Sequence, residues 1–208
     1  MKRKTNNKPA IIILCGGKGI RLRPLTKDIP KPLLQIKNKP ILKYIINQFK
    51  KYNFDNYIIP IGYKGHKISE FMKDNFKNLN YKIIDSGDVD IITRIRDSVK
   101  DIESDFILSY GDTISNIDLS KLVNYHDKHP NSVIVTSFPI TIPFGVMKVD
   151  KNSNVTSFCE KPLLEDVMNI GYFYFSKKHH PLFFKYKSFV EVLSYLSKKR
   201  ELKCFKHD

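Results

Sequence analysis

The chain has 208 residues, enough for one domain with a buried core. Its 36 Lys+Arg against 21 Asp+Glu give a formal charge of +15, which suits nucleic acid, acidic lipid or phosphate-rich substrates. Lysines are scattered along the whole length (Lys2, Lys4, Lys8, Lys50, Lys51, Lys198, Lys199) rather than gathered with aromatics into one patch, which argues against a nucleic-acid-binding domain.

The first eight residues read as a polar, mobile leader. The apolar run Ala10–Leu14 predicts a buried strand. A helix over 41–52 follows, with Pro40 suited to its first turn and Ile41, Leu42, Ile45, Ile46 and Phe49 on one face. Next come a strand at Tyr57–Ile61, a helix over 67–78, a strand at Tyr81–Asp85, a short helix at Ile91–Val99 and a strand over 105–109. This repeated βαβ order predicts an α/β fold: a Rossmann-like, mostly parallel sheet with helices on both faces. After a helix over 119–128, with Asp118 as its cap, the rhythm changes to strands over 133–138, 145–149, 155–160 and 171–175, read as a small appended antiparallel extension. A helix over 188–199 and a strand at Leu202–Lys206 close the chain. Without a linker or repeat, 1–208 is expected to form a single domain.

Residues 14–32 read LCGGKGIRLRPLTKDIPKP and carry most of the functional information. A strand that opens into glycines makes a tight turn whose backbone N–H groups converge on an anion. Arg21 and Arg23 follow the turn, and Lys31 stands between two prolines, so three cations gather near one phosphate-binding loop. A Walker A loop would need Lys-Ser/Thr after its last glycine, and a dinucleotide fingerprint a third glycine opening a helix; neither is present. Gly111 and Asp112 follow the strand over 105–109, at the carboxyl edge where open α/β sheets bind ligands. A carboxylate there can hold Mg²⁺ against a triphosphate, or simply cap a turn. Cys15, Cys159 and Cys204 have no paired spacing, no ~20-residue apolar span is present, and MKRKTNNKP leads into only a short apolar run. A reduced cytoplasmic protein with no membrane contact is expected, and Cys15 is read as a small core residue.

The chain resembles the sugar-1-phosphate nucleotidyltransferases (nucleotide-sugar pyrophosphorylases), whose GGxGxRLxPxT and PKP motifs match Gly16, Gly17, Gly19, Arg21, Leu22, Pro24, Thr26 and Pro30, Lys31, Pro32. Glu160, Lys161 and Pro162 resemble the family's EKP, and Asn169 to Tyr172 its Asn-x-Gly stretch. Gly62, Tyr63, Lys64 and Gly65, with Asp85, Ser86, Gly87 and Asp88, resemble the glucose-1-phosphate cytidylyltransferase branch. The resemblance covers about residues 10–175. It implies a GT-A-like nucleotidyltransferase fold and transfer of a nucleotidyl group, CMP from CTP, with release of pyrophosphate. It assigns Arg21 and Lys31 to catalysis, and Leu14, Gly16, Gly17, Gly19, Ser86, Gly87, Arg94 and Gly111 to the nucleotide. It assigns Glu160, Lys161, Asn169 and Gly171 to the acceptor and Asp112 to Mg²⁺ (or Mn²⁺). The acceptor is a sugar 1-phosphate or a smaller phosphorylated compound such as L-glutamine phosphate, as in the CTP:phosphoglutamine cytidylyltransferases of capsule synthesis. Homo-oligomerisation stays open.

Two departures stand out. Where the branch has Thr-Gly-Gly-Arg, this chain has Asp90, Ile91, Ile92, Thr93 and Arg94. The added volume of Ile91 and Ile92 in the acceptor pocket would favour the smaller acceptor. The family also carries a second metal-binding aspartate beyond its final helix, for which Asp208 is a poor substitute. Either that segment lies outside this sequence or Asp112 and substrate oxygens suffice. Two other classes remain: a catalytically idle nucleotide-sensing subunit, and a basic nucleic-acid-binding domain.

Overall fold

A computed structural model describes residues 8–100 and 102–207; most of the expected leader and Asp208 lie outside the described residues. β1 (Ala10–Leu14) is the continuous apolar run AIIIL, as a strand covered on both faces should be. A two-stranded hairpin, β2 (Gln35–Ile36) and β3 (Lys39–Pro40), leads into α1 (Ile41–Lys51), β4 (Tyr57–Ile61), α2 (Gly65–Asn75), β5 (Tyr81–Asp85), α3 (Ile91–Val99) and β6 (Phe106–Tyr110). The four strands β1, β4, β5 and β6 pair in parallel through β4–β5, β1–β4 and β1–β6.

After α4 (Leu119–Asp127) come β7 (Val133–Thr141), β8 (Val146–Val149), β9 (Val155–Cys159) and β10 (Leu163–Phe175). Then follow α5 (Leu182–Lys185), α6 (Phe189–Lys198) and β11 (Leu202–Lys206). The main sheet runs β11-β7-β10-β6-β1-β4-β5. The expectation of a wholly appended antiparallel segment is therefore corrected: β7 and β10 belong to this sheet, β10 antiparallel to both β6 and β7. Burial explains the difference. In β10 the seven residues from Leu163 to Asn169 are exposed, whereas Gly171 to Phe175 are buried, so one strand serves both the extension and the core. Of the strands after α4, β8 and β9 form a separate two-stranded sheet. Pro40 pairs in β3 and stands just before α1 instead of in its first turn.

Alternate β1 side chains feed two cores, one per sheet face. Ile11, Ile13 and Cys15 meet α1, α2 and α4, while Ala10 and Ile12 meet α3, α5 and α6. Burying these faces drives folding at roughly 25 cal/mol per Å² of apolar surface, and it fixes where the carboxyl ends of the parallel strands emerge. On the second face Phe106, Phe175 and Phe183 pack together, with Phe106 and Phe175 stacked at 5.1 Å.

Candidate active site

In the sheet, β4 and β5 lie on one side of β1 and β6 on the other, so the chain reverses its winding direction at β1. The crevice above the carboxyl ends of β1 and β6 is where such sheets take ligands. Leu14 and Gly111 close it from below: Gly111 N–H donates to Leu14 O at 3.0 Å, and a Cβ on Gly111 would stand 2.4 Å from that oxygen. Only glycine lets the two strand ends approach this closely.

The turn after β1 is stitched to β4 as well, with Cys15 N–H donating to Pro60 O at 3.0 Å and Tyr63 N–H to Gly16 O at 3.2 Å. Gly17 is exposed, and nothing would lie within 4 Å of a Cβ there. Gly19 has φ +60 and opens a single 3-10 turn, Ile20–Leu22, which carries Arg21 exposed to solvent. Thr26, fully buried, donates to Gly19 O at 2.8 Å and pins that turn, and the Tyr63 hydroxyl donates to Lys27 O at 2.7 Å. A second 3-10 turn, Lys31–Leu33, begins after Pro30 and aims Lys31 into the crevice, where its Nζ lies 2.6 Å from Asp112 Oδ2. The sequence separates these two residues widely; the fold makes them an ion pair.

Cys15 lies beneath this pair, fully buried, with its thiol pushed well up from its ordinary value first by desolvation and then by Asp112. It is a core residue and no nucleophile.

On the other flank, Ser86 N–H donates to Ile61 O, and Gly87, at φ +68, donates to Asp85 Oδ1 at 3.0 Å. Lys18 of the glycine turn pairs with Asp88 at 2.5 Å, bridging the two loops. Sequence reasoning missed Lys18, because the position is variable in the motif. Arg94 requires a correction. It is buried, and its guanidinium donates to the carbonyls of Ile61, Gly87 and Val89 instead of standing open to a nucleotide. Ile92 requires another, since it packs into the core beside Ile12 and Ile58 and adds no volume to a pocket. Ile91 alone is exposed.

The acceptor candidates reach the crevice through β10. Gly171, at φ +79, would place a Cβ 2.5 Å from the Tyr110 ring, and Asn169 Oδ1 accepts the Gly171 N–H at 2.8 Å. Tyr110 ends β6 directly before Gly111 and Asp112, so this turn adjoins the ion pair. Glu160 and Lys161 stand exposed on the extension, Lys161 at φ +47. Gly145, read only as part of a strand, lies under them: a Cβ there would be 3.0 Å from Glu160 Oε2 and 2.6 Å from the Phe158 ring. The structure therefore gathers Gly16, Gly17, Gly19, Lys31, Gly111 and Asp112 into one group, and sets Asn169 and Gly171 at its edge.

No cluster of three or more His, Cys, Asp or Glu able to cage a metal occurs among the described residues. Mg²⁺ does not demand one, because it binds through one or two carboxylates with waters and substrate phosphates. Asp112, one third exposed at the crevice, fits that donor chemistry.

Residues 10–192 match the family model described as Nucleotidyl transferase. The chain belongs to the nucleotidyl transferase family. The probable glucose-1-phosphate cytidylyltransferase of Bacillus subtilis is 34% identical, over 94% of this chain and 87% of that protein. The D-glycero-alpha-D-manno-heptose 1-phosphate guanylyltransferase of Campylobacter jejuni is 36% identical, over 72% of this chain and 67% of its own length. Among solved structures, HddC from Yersinia pseudotuberculosis superposes with a TM-score of 0.73 at 25% identity, covering 96% of this chain and 90% of that one. A nucleotidyl transferase is thus an enzyme that couples a nucleotide to a phosphorylated partner, and relatives of this chain are named for cytidylyl and for guanylyl transfer.

Proposed function

We propose that this chain joins a nucleoside triphosphate, CTP by preference, to a sugar 1-phosphate and releases pyrophosphate. The Lys31–Asp112 pair at the crevice beside the glycine turn carries the reading, because it sets a cation and a carboxylate where an anionic substrate and its counter-ion meet. An oxygen of the acceptor phosphate attacks the α-phosphorus in line. The new P–O bond forms as the bond from the α-phosphorus to the bridging oxygen breaks, and that electron pair leaves on pyrophosphate. A phosphate dianion is already a competent nucleophile, so no general base is required; catalysis is positioning and charge stabilisation.

In this reading the N–H groups of Gly16, Gly17 and Gly19 cradle the triphosphate, and Arg21 meets the departing phosphates. Lys31 leaves Asp112 for the α-phosphoryl group, and the freed carboxylate is the residue that would hold Mg²⁺ or Mn²⁺. Such an ion would supply positive charge against the phosphates. Leu14, Ser86, Gly87 and Gly111 shape the nucleotide side, and Glu160, Lys161, Asn169 and Gly171 receive the acceptor. Residues 10–207 act as one catalytic domain. The sugar phosphate is preferred over L-glutamine phosphate because relatives carry sugar 1-phosphates in their names, and because the volume argument for a small acceptor loses Ile92 to the core.

CTP is favoured by the Gly62–Gly65 and Asp85–Asp88 resemblances; GTP is the second reading, since a Yersinia HddC structure at 26% identity holds GMP-PN. No helix among the described residues is long and apolar enough to cross a membrane, and we place the reaction in the cytoplasm, feeding surface-polysaccharide synthesis. Pyrophosphate release is measured with four triphosphates against glucose 1-phosphate, a heptose 1-phosphate and L-glutamine phosphate. Turnover is expected with CTP and a sugar phosphate. Triphosphate binding with no turnover on any acceptor would instead make the chain a sensing subunit.

A further inference from the structure

Arg94 has a side chain whose surroundings no phosphate chemistry explains. Its Nη1 donates to Ile61 O at 2.8 Å, and its Nη2 donates to Gly87 O at 2.9 Å and Val89 O at 3.0 Å. Ile61 ends β4, and Gly87 and Val89 form the loop that leaves β5. The same guanidinium lies against the turn that leaves β1: a Cβ on Gly16 would stand 1.8 Å from Nη1 and 2.2 Å from Cζ. On Gly62 it would stand 2.5 Å from Nη1 and 2.3 Å from Gly87 O. Gly16 and Gly62 lie outside the positive-φ glycines, so space for Arg94 is what requires glycine at position 16, and Arg94 together with the Gly87 carbonyl it holds requires it at position 62.

The residue itself is held from behind. Asp90 caps α3 by accepting Thr93 N–H at 2.9 Å, and Ser98 Oγ donates to Arg94 O at 2.8 Å. Among the described residues no carboxylate comes within ion-pair distance of the guanidinium. Asp88 and Asp90 beyond β5, and Asp85 at its end, balance its charge from further away, and Asp88 pairs with Lys18. Arginine suits this place, because a planar fork can serve several carbonyls at once where a lysine ammonium is a single point.

We propose that Arg94 is a positioning residue that braces the exits of β1, β4 and β5 into one rim, so that the glycine turn keeps its triphosphate-binding shape. It does so without touching substrate. The inference rests on the triphosphate reading above, and it turns a residue matched to a nucleotide motif into the support behind that motif. Without Arg94, the carbonyls of Gly87 and Val89 lose this donor, Ile61 O is left with the Ser86 N–H, the space beside Gly16 and Gly62 empties, and the three loops lose their common tie.

Arg94→Ala and Arg94→Lys are compared with the unaltered protein by hydrogen exchange and by kinetics. Amides of residues 16–19, 62–65 and 86–90 are expected to exchange about tenfold faster in both variants, with β10 and β11 unchanged. The KM for the triphosphate is expected to rise about tenfold while the KM for the acceptor stays within about twofold. General destabilisation would lower Tm and the active fraction without separating the two KM values. Gly16→Ala, whose nearest new neighbours would all be Arg94 atoms, is expected to weaken triphosphate binding alone yet add nothing in the Arg94→Ala background. Should Arg94→Ala fail to fold, Arg94→Lys and Gly16→Ala carry the test. Unaltered exchange in all three turns together with an unaltered triphosphate KM overturns the brace. If the unaltered protein turns over no triphosphate, the proposed reaction fails separately, and exchange alone then decides for or against the brace.

Discussion

A lysine and an aspartate held at 2.6 Å, each partly exposed, contribute little to folding and are free to exchange partners when a polyphosphate arrives. Lys31→Met and Asp112→Asn are therefore expected to keep Tm within a few degrees while lowering turnover about 10²- to 10³-fold, the usual cost of one charge-stabilising group. Thermal melts beside steady-state rates check this, and an Asp112→Asn enzyme with full activity in excess EDTA would return Asp112 to the role of a turn residue. Cysteine accessibility gives a second residue-scale outcome. Cys15 is fully buried with its thiol pushed up by desolvation, whereas Cys159 and Cys204 are exposed. Native protein should react with two equivalents of a thiol reagent and with the third only after denaturation. Fast labelling of all three would show that the floor of the crevice opens to solvent. At this scale the sequence exposed the glycines and cations through their spacing, but it hid Lys18–Asp88 and the burial of Arg94. Those depend on which loops the sheet brings side by side, and no local pattern encodes that.

Elements whose stability comes from local chemistry were legible, and those shared between layers were less so. β1, β4, β5, α3 and β11 have the bounds that apolar runs and caps predict. Asp118 caps α4 as expected, accepting Lys121 N–H at 3.0 Å. Asp118→Ala is expected to cost about 1 kcal/mol and a few degrees of Tm with both KM values unaltered, since the bond it removes is local to the first turn of α4. An unchanged melting point would show that the cap is replaced by solvent. β10 was foreseen only in its buried last third, because its exposed half carries little of the strict alternation that marks a half-buried strand. The short helix α5 was missed for a different reason. It is too short for a periodic signal, and Phe183 settles among Phe106, Phe175 and Phe189 through tertiary packing.

For the whole molecule, the end of the sheet opposite the crevice bears on stability through its histidines. His126, His179 and His180 gather where β10 leaves the core, near Ser176, Tyr174 and Asp105. His126 Nε2 meets Ser176 Oγ at 2.8 Å and its ring stacks on Tyr174. Desolvation is the first cause that holds all three below the ordinary histidine value, and His179 is brought down to about 4. Lys178 adds to the depression at His126 and His179, and Lys177 at His180, while Asp105 opposes it at all three. Both ring nitrogens of His179 are buried without a hydrogen-bond partner, so a proton there gains too little, from Asp105 among others, to offset the lost hydration. The unfolded chain takes up these protons near pH 6.5, before the folded protein does, so stability rises with pH across this window. It is fully present above about pH 6.5 and declines as pH falls toward 4. Carboxylates held low by hydrogen bonds, Asp90 and Asp97 among them, add a further loss only below their ordinary range. Acidification also adds positive charge to a chain already at +15, which works in the same direction through self-repulsion. Calorimetric melts between pH 8 and 4.5 should therefore show Tm flat at the upper end and falling below about 6.5, by about 2–4 °C for each kcal/mol lost. His179→Leu, which removes the most strongly shifted of the three, should flatten that slope while leaving the plateau above pH 7 near its original height. A slope that is the same in this variant would place the acid sensitivity in the carboxylates and in net charge.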